Sequence, residues 1–319
     1  MKPTWLKAKI PSGANYHGLK KLFRDLNLHT VCEEAQCPNI GDCWDRKTAT
    51  VMIMGDTCTR ACGFCAVNTG RPKPLDICEP QNVAQALAQL NLQHVVITSV
   101  DRDDLPDGGS HHFAQTIQEV KKVCPNMTLE VLIPDFRGQR EDLNRVFAAS
   151  PDILNHNLET IARLQKHVRP QAHYERSLKV LSLAAEAGLV AKSGIMVGLG
   201  ETFDEIEQTL CDLYQKGKIS ILTVGQYLQP GPQNLKVERF YSPQEFAKIR
   251  QMALDIGIPE VASSTFVRSS YHADVSASKL SMSLRAAPVI PRLDPPIKSE
   301  DGTHDAECGN LHHLSSSRA

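Results

Sequence analysis

Six of the chain's ten cysteines fall into two groups: Cys32, Cys37 and Cys43, spaced C-x4-C-x5-C, and Cys58, Cys62 and Cys65, spaced C-x3-C-x2-C. Thiolates gathered this densely suit iron or zinc, but zinc ribbons and fingers pair C-x2-C units and surround each metal with four ligands. Two sets of three point instead to iron–sulfur clusters. A four-iron cluster on three cysteines leaves one iron open to a further ligand. The alternative, a non-catalytic metal-binding module, requires complete four-ligand sets holding zinc.

Both groups read as loops. Cys58, Cys62 and Cys65 would form one helical stripe, yet seven residues of helix span about 10 Å, too far for three thiolates to meet at one compact cluster. Gly63 also favours a loop. On a helix Cys37 would lie roughly 140° from Cys32, and Pro38 and Gly41 separate it from Cys43.

The elements that must position these thiols follow residue 49. Strands are expected over 50–54, 94–100, 129–133, 153–155, 191–197 and 219–226, alternating with helices over 80–91, 110–123, 139–149, 174–187, 202–216 and 242–256. Ser110, Thr202 and the Ser242-Pro243 pair are expected helix starts, and Gly188 lies just past a helix end. Such alternation implies an α/β fold with a parallel sheet and right-handed crossovers, here a partial (β/α)6 TIM-type barrel. Ligands gather at the C-terminal ends of barrel strands. The loop over 55–70, with the second cysteine group, therefore sits at the barrel mouth. Asp107, Asn157, Glu159 and Glu201 also follow strands, where each acidic residue alone equally suits a turn or helix cap.

Residues 1–48 are expected to form an N-terminal extension carrying the first cysteine group, 49–275 the barrel, and the Pro- and Ser-rich stretch 276–319 a disordered tail. A chain of 319 residues with 41% hydrophobic and 22% charged residues can bury a large core. Its net charge of −1 and lack of nucleic-acid motifs exclude a broad basic face for nucleic acid. Lys2, Lys7, Lys9, Lys20, Lys21 and Arg24 form a basic N-terminal stretch, either a solvated arm or a dock for an acidic partner. No apolar run approaches the roughly 18 residues of a membrane span, and no signal-peptide core is visible. Clustered rather than spread cysteines fit a reducing compartment, and a cytoplasmic location is expected. The remaining cysteines, Cys78, Cys124, Cys211 and Cys308, are isolated in sequence, the twelve histidines show no H-E-x-x-H pairing, and Gly198-x-Gly200 lacks the rest of a dinucleotide fingerprint.

The stretch Cys58-Thr-Arg-Ala-Cys62-Gly-Phe64-Cys65 resembles the signature of the radical S-adenosylmethionine superfamily. Preceded by Cys32-Glu-Glu-Ala-Gln-Cys37-Pro-Asn-Ile-Gly-Asp-Cys43, and joined by Val100-Asp-Arg-Asp-Asp-Leu-Pro-Asp-Gly-Gly109 and Arg268-Ser-Ser-Tyr271, it resembles the lipoyl synthase family over residues 1–275. The resemblance implies a 4Fe–4S cluster on Cys58, Cys62 and Cys65 whose open iron chelates S-adenosylmethionine. Phe64 would then lie near the adenine, with Asp107, Asn157, Glu159 and Glu201 among the cofactor contacts. It further implies a second, sacrificial 4Fe–4S cluster on Cys32, Cys37, Cys43 and Ser270, and a catalytic set of Cys58, Cys62, Cys65 and Ser270. An oxygen ligand on iron should leave more easily than a thiolate; without the resemblance Ser269 and Ser270 read as loop serines.

The activity so implied is radical insertion of two sulfur atoms at C6 and C8 of a protein-bound octanoyl-lysine. The implied partners are octanoylated lipoyl-carrier domains, of a 2-oxoacid dehydrogenase acyltransferase subunit or the glycine-cleavage H protein, and an electron donor such as flavodoxin or ferredoxin. A two-cluster radical enzyme acting on a peptide or another thiolation substrate is the competing reading, which the N-terminal position of C-x4-C-x5-C disfavours.

Overall fold

The computed structural model describes Pro3 and residues 14–25, 28–34, 37, 39–45, 50–90, 92–270 and 273. The tail expected over 276–319, with Cys308, and Lys2, Lys7 and Lys9 lie outside the described residues.

Among the described residues ten strands are formed: β1 (His29–Thr30), β2 (Thr50–Ile53), β3 (Thr57–Cys58), β4 (Asn68–Thr69), β5 (His94–Ser99), β6 (Thr128–Leu132), β7 (Ile153–Asn155), β8 (Val190–Val197), β9 (Ile221–Gln226) and β10 (Glu260–Ser263). Eight of them make one sheet in the order β1-β2-β5-β6-β7-β8-β9-β10, and β3 pairs with β4 separately. From β2 to β10 every neighbouring pair in the large sheet is parallel, with Thr50 opposite Val96, Lys192 opposite Ile221 and Ile221 opposite Glu260. β1 adds antiparallel to β2, with His29 opposite Met52. The architecture is an α/β, TIM-type open barrel in which, among the described residues, no closing pair joins the two edges.

The reason for the parallel sheet is visible in its burial. All four residues of β2 and all six of β9 are buried. Strands covered on both faces carry such continuous runs rather than alternation. The apolar core divides between β2, β5 and β6 with their helices, and β8, β9 and β10 with theirs. A polar exception lies inside it: Lys192, 1% exposed, meets Glu130 at 2.9 Å, and Asn155 donates to the same carboxylate at 2.9 Å.

Among the described residues six helices cover the sheet at Glu79–Leu90, Ser110–Val123, Arg140–Ala148, Tyr174–Glu186, Phe203–Gln215 and Pro243–Ile256. Thr202 with Glu205, and Ser242 with Glu245, close reciprocal capping boxes, and Pro243 opens its helix where a missing N–H costs nothing. The expected start at Ser110 holds: Ser110 is the first helical residue, and the residue before it, Gly109, caps the helix in a left-handed conformation, φ 88°.

The N-terminal segment also departs from expectation. Residues Ala14–Asp25 form a helix rather than an arm, Lys20 pairs with Glu33 at 3.7 Å, and Tyr16 packs 5.1 Å from the fully buried Trp44. The first cysteine group is not one loop. Cys32 lies on the short helix Val31–Glu34, whose Glu33 N–H donates to Thr30 Oγ1, and Cys43 on the helix Ile40–Asp45, which includes Gly41. Among the described residues no helix is long and apolar enough to cross a membrane.

Candidate active site

Cys58 ends β3, the chain turns through Cys62 and Cys65, and β4 brings it back beside its start. Gly70 N–H donates to Cys58 O at 3.0 Å and Cys65 N–H to Cys62 O at 3.1 Å, so the three thiols share one closed loop. Gly63 is required in that turn, because a Cβ there would lie 2.8 Å from Leu235 Cγ. Gly63 N–H donates to Val168 O, Leu235 N–H to Gly63 O, both at 2.9 Å, and Asn234 Nδ2 to Cys65 O at 2.8 Å, which sews the loop to two later segments.

At the C-terminal ends of the strands the chain encloses a cavity of about 450 Å³, within the roughly 300–1,000 Å³ of small-molecule sites. Cys58, Cys62 and Cys65 line it, and so do Cys32, Cys37 and Ser270, whose sequence positions span most of the chain. Phe64, Asn157 and Glu159 line the same space. Phe64 also packs against a buried cluster that includes Leu199 and Tyr227, which fixes its ring.

The structure does not bring the other expected residues there. Cys43 packs against the hydrophobic core from its helix and is not among the cavity residues. Asp107 and Glu201 also lie off the cavity, and their carboxylates are used locally. Asp107 accepts the N–H groups of Gly109 and His111, both at 2.9 Å, at a helix start; Glu201 accepts those of Gly198 and Leu199 at 2.6 and 2.9 Å. In this structure both carboxylates serve the turn and cap roles that such residues commonly fill.

Glu159 sits in a left-handed backbone conformation, φ 69°, held by its N–H to Gly194 O at 2.9 Å and by Met196 N–H to its own carbonyl at 2.8 Å. Such strain in a non-glycine residue persists only where the surroundings enforce it, and it collects at functional sites. Asn157 Nδ2 donates to Glu159 at 2.9 Å and to Ser269 Oγ at 3.2 Å, and among the described residues Asn157 Oδ1 is buried without a partner. Gly194 keeps room beside it, since a Cβ there would lie 2.9 Å from that oxygen. Arg169 donates to Asn157 O at 2.9 Å while, among the described residues, its Nε is buried without a partner. Orphaned groups at a cavity wall await a ligand.

The electrostatics fit a metal cluster. Burial pushes the Cys58, Cys62, Cys65 and Cys32 thiols up to about 11, aided at Cys58 by the negative charge of Asp101 and opposed at Cys62 by Arg169. Burial likewise raises Cys37, against Arg268. Such groups are neutral on their own, and coordination to iron reverses that by holding the thiolate outright. Among the described residues no three His, Cys, Asp or Glu side chains gather closely enough for a single metal ion. One zinc with bonds near 2.3 Å needs its sulfurs within about 4 Å of one another; a cluster that offers a separate iron to each thiolate does not.

Several groups here escaped the reading from sequence. Arg60, Asp101 and Arg268 were inside quoted motifs, and Asp101 lies two residues past the end of β5, which was a usable signal. His156 stands beside the expected Asn157, and Arg169 carried no signal beyond its residue type. His156 is buried between Ile133 O, 2.9 Å from Nδ1, and Ser177 Oγ, 3.0 Å from Nε2, and burial lowers its pKa to about 4.

Comparison with known proteins agrees with this geometry. Residues 52–213 match the Radical SAM superfamily, and residues 1–37 match the N-terminal domain of lipoyl synthase of the radical SAM family. The lipoyl synthase of Rubrobacter xylanophilus is 53% identical over 274 residues, 85% of each chain. That of Staphylococcus haemolyticus is 52% identical over 276 residues, 86% of this chain and 90% of the relative. Among solved structures, Streptococcus suis SuiB bound to its precursor peptide SuiA superposes with a TM-score of 0.53 at 12% identity, over 86% of this chain and 59% of that one. The FeFe-hydrogenase maturase HydG of Carboxydothermus hydrogenoformans gives 0.51 at 12% identity, over 84% and 70%. These two likenesses are of fold.

Proposed function

The chain belongs to the lipoyl synthase family of the radical SAM superfamily, and we propose that it inserts two sulfur atoms, at C6 and C8, into an octanoyl chain carried on a lysine of a lipoyl-carrier domain. It is a sulfur-inserting radical enzyme that uses a 4Fe–4S cluster and S-adenosylmethionine. The observation that carries the finer reading is the convergence of Cys58, Cys62 and Cys65 with Cys32, Cys37 and Ser270 on one cavity. When bound, the cofactors supply hydrogen abstraction from unactivated carbon, which no side chain can perform, and sulfur from a second 4Fe–4S cluster.

The chain's own residues have distinct parts. Cys58, Cys62 and Cys65 hold the first cluster, and Cys32, Cys37 and Ser270, with Cys43 from the neighbouring short helix, hold the second. Asn157 and Glu159 present a fixed pair of acceptors to the polar end of S-adenosylmethionine, and Phe64 offers a ring for its adenine. Met52, Leu132, Ile133 and Ile195, all on the cavity wall, keep water from the reacting carbon. Residues 1–48 form the extension for the second cluster and 49–275 the barrel. The acyltransferase subunit of a 2-oxoacid dehydrogenase or the glycine-cleavage H protein supplies the octanoyl-lysine in the cytoplasm, and flavodoxin or ferredoxin the electrons.

The test uses anaerobically reconstituted protein: iron and sulfide content, then a single turnover with S-adenosylmethionine, reductant and an octanoyl-lysyl peptide, read by mass spectrometry. Two 4Fe–4S clusters mean about eight irons, with two sulfurs gained by the peptide. Cofactor cleavage without sulfur on the peptide sinks this reading, and bound zinc without cleavage sinks any radical reading.

A further inference from the structure

Arg60 lies between Cys58 and Cys62, yet its side chain, 3% exposed, faces inward to three carboxylates. Nε and Nη2 grip both oxygens of Asp103 at 2.7 and 2.9 Å, Nη2 also reaches Asp135 at 2.7 Å, and Nη1 lies 3.3 Å from Asp101. Asp101 and Asp103 follow β5 and Asp135 follows β6, so one guanidinium ties the cysteine loop to the ends of two neighbouring strands. Asp135 is itself held by Arg176 at 3.1 Å. Only a planar fork with several donors serves all these acceptors at once; a lysine ammonium is a point charge.

What this grip positions is the Cys58 sulfur. The N–H groups of Arg60 and Asp101 point at Cys58 Sγ from 3.4 and 3.3 Å, and the Asp101 carboxylate stands 3.8 Å from it. Thr59 locks the two strands of contact together, its N–H and Oγ1 both donating to Asp101 O at 3.0 and 2.9 Å. Hydrogen bonds to the sulfurs and the charge around them are among the terms that set an iron–sulfur potential. An electron taken from a low-potential one-electron donor adds negative charge. The two N–H donors and the Arg60 cation favour that charge, and the Asp101 carboxylate opposes it.

We propose that Arg60 is a positioning residue that, through Asp101, Asp103 and Asp135, holds two backbone N–H donors on the Cys58 sulfur and raises the reduction potential of the cluster carried by Cys58, Cys62 and Cys65. The inference rests on the reading of those three cysteines as cluster ligands.

The experiment is a redox titration followed by electron paramagnetic resonance on the full chain, with Cys32→Ala and Cys37→Ala silencing the second set. The parent is expected to bind about four irons. Arg60→Gln lowers the midpoint by a tenfold change in the one-electron equilibrium, about 59 mV, Arg60→Lys falls between, and Asp101→Asn moves it upward. Opposite signs at Arg60 and Asp101 are what a purely structural role cannot give. An Arg60→Gln cluster at the parent potential overturns the inference alone; a parent without iron overturns the cluster reading beneath it. If Arg60→Gln does not fold, Asp101→Asn decides, and the absence of an upward shift there overturns the inference.

Discussion

Substituting Gly225 by alanine should separate sulfur transfer from radical generation. Gly225 is on β9, beneath the segment that carries Ser269 and Ser270. A Cβ at this position would lie 2.0 Å from the carbonyl oxygen of Val267, where real contacts essentially never fall under 3.0 Å. The carbonyl must retreat by about 1 Å, and it cannot do so alone: Gln226 N–H donates to Thr265 O at 3.2 Å, Ser264 N–H to Val224 O at 3.1 Å, and Asn39 Nδ2 to Phe266 O at 2.6 Å. The displacement therefore passes to Ser270 and, through Asn39, toward Cys37. A misplacement of about 1 Å costs roughly 100-fold in a positioned reaction, whereas overpacking of this kind costs about 1–3 kcal/mol of stability, roughly 2–12 °C in Tm. Single-turnover assays should show sulfur insertion falling about 100-fold while 5′-deoxyadenosine is still released, because the Cys58 loop does not lean on Val267. Insertion at the wild-type rate by the folded variant, or equal loss of both products, would refute the reasoning.

Ser270→Ala should lower sulfur insertion while leaving the iron bound by Cys58, Cys62 and Cys65; iron analysis combined with product mass decides, and unchanged insertion removes Ser270 from the site. His156 supplies a pH dependence. Its folded pKa, near 4, is below the ordinary 6.5, so the unfolded chain binds more protons between those values. Its contribution of about 3 kcal/mol is thus complete above pH 6.5 and lost as pH falls toward 4. Urea unfolding at pH 6.5 and 5 should show a smaller drop for His156→Gln than for the wild type, and an equal drop argues against a buried neutral imidazole. Lys192→Met strands the buried Glu130 carboxylate and should cost about 3–5 kcal/mol in urea unfolding, with Lys192→Met/Glu130→Leu recovering most of it; a loss under about 1 kcal/mol would mean that the pair is solvated.

The six strands expected from sequence all form, within two residues at each end, because strands buried on both faces write themselves as apolar runs such as 94–99 and 221–226. Thr202 and Ser242 were legible as helix starts from their residue types and, at Ser242, from the proline that follows; the reciprocal bonds with Glu205 and Glu245 are what the structure adds. The edges were not legible. β1 is two residues long and β10 four, and neither has enough length to show a period. The site divides along similar lines. Spacing alone indicated that Cys58, Cys62 and Cys65 share a loop, but nothing local in the chain ties Cys32 to Ser270. That proximity is made by the sheet order and by the Asn39–Phe266 hydrogen bond. Asp107 and Glu201 were expected near the cofactor from the resemblance and from their places after strands; their short links to neighbouring N–H groups are a matter of turn geometry that a strand boundary does not reveal.

The claim at the centre of this account is that one cavity unites a radical-generating cysteine set with a sulfur-giving one. It is tested most directly by reconstituting the protein with heavy-isotope sulfide and running one turnover on an octanoyl-lysyl peptide in isotopically light buffer. Both sulfurs of the product should carry the heavy isotope, and the Cys32→Ala/Cys37→Ala protein should release 5′-deoxyadenosine without forming any thiolated product. Light sulfur in the product, or thiolation by the protein lacking Cys32 and Cys37, would contradict it.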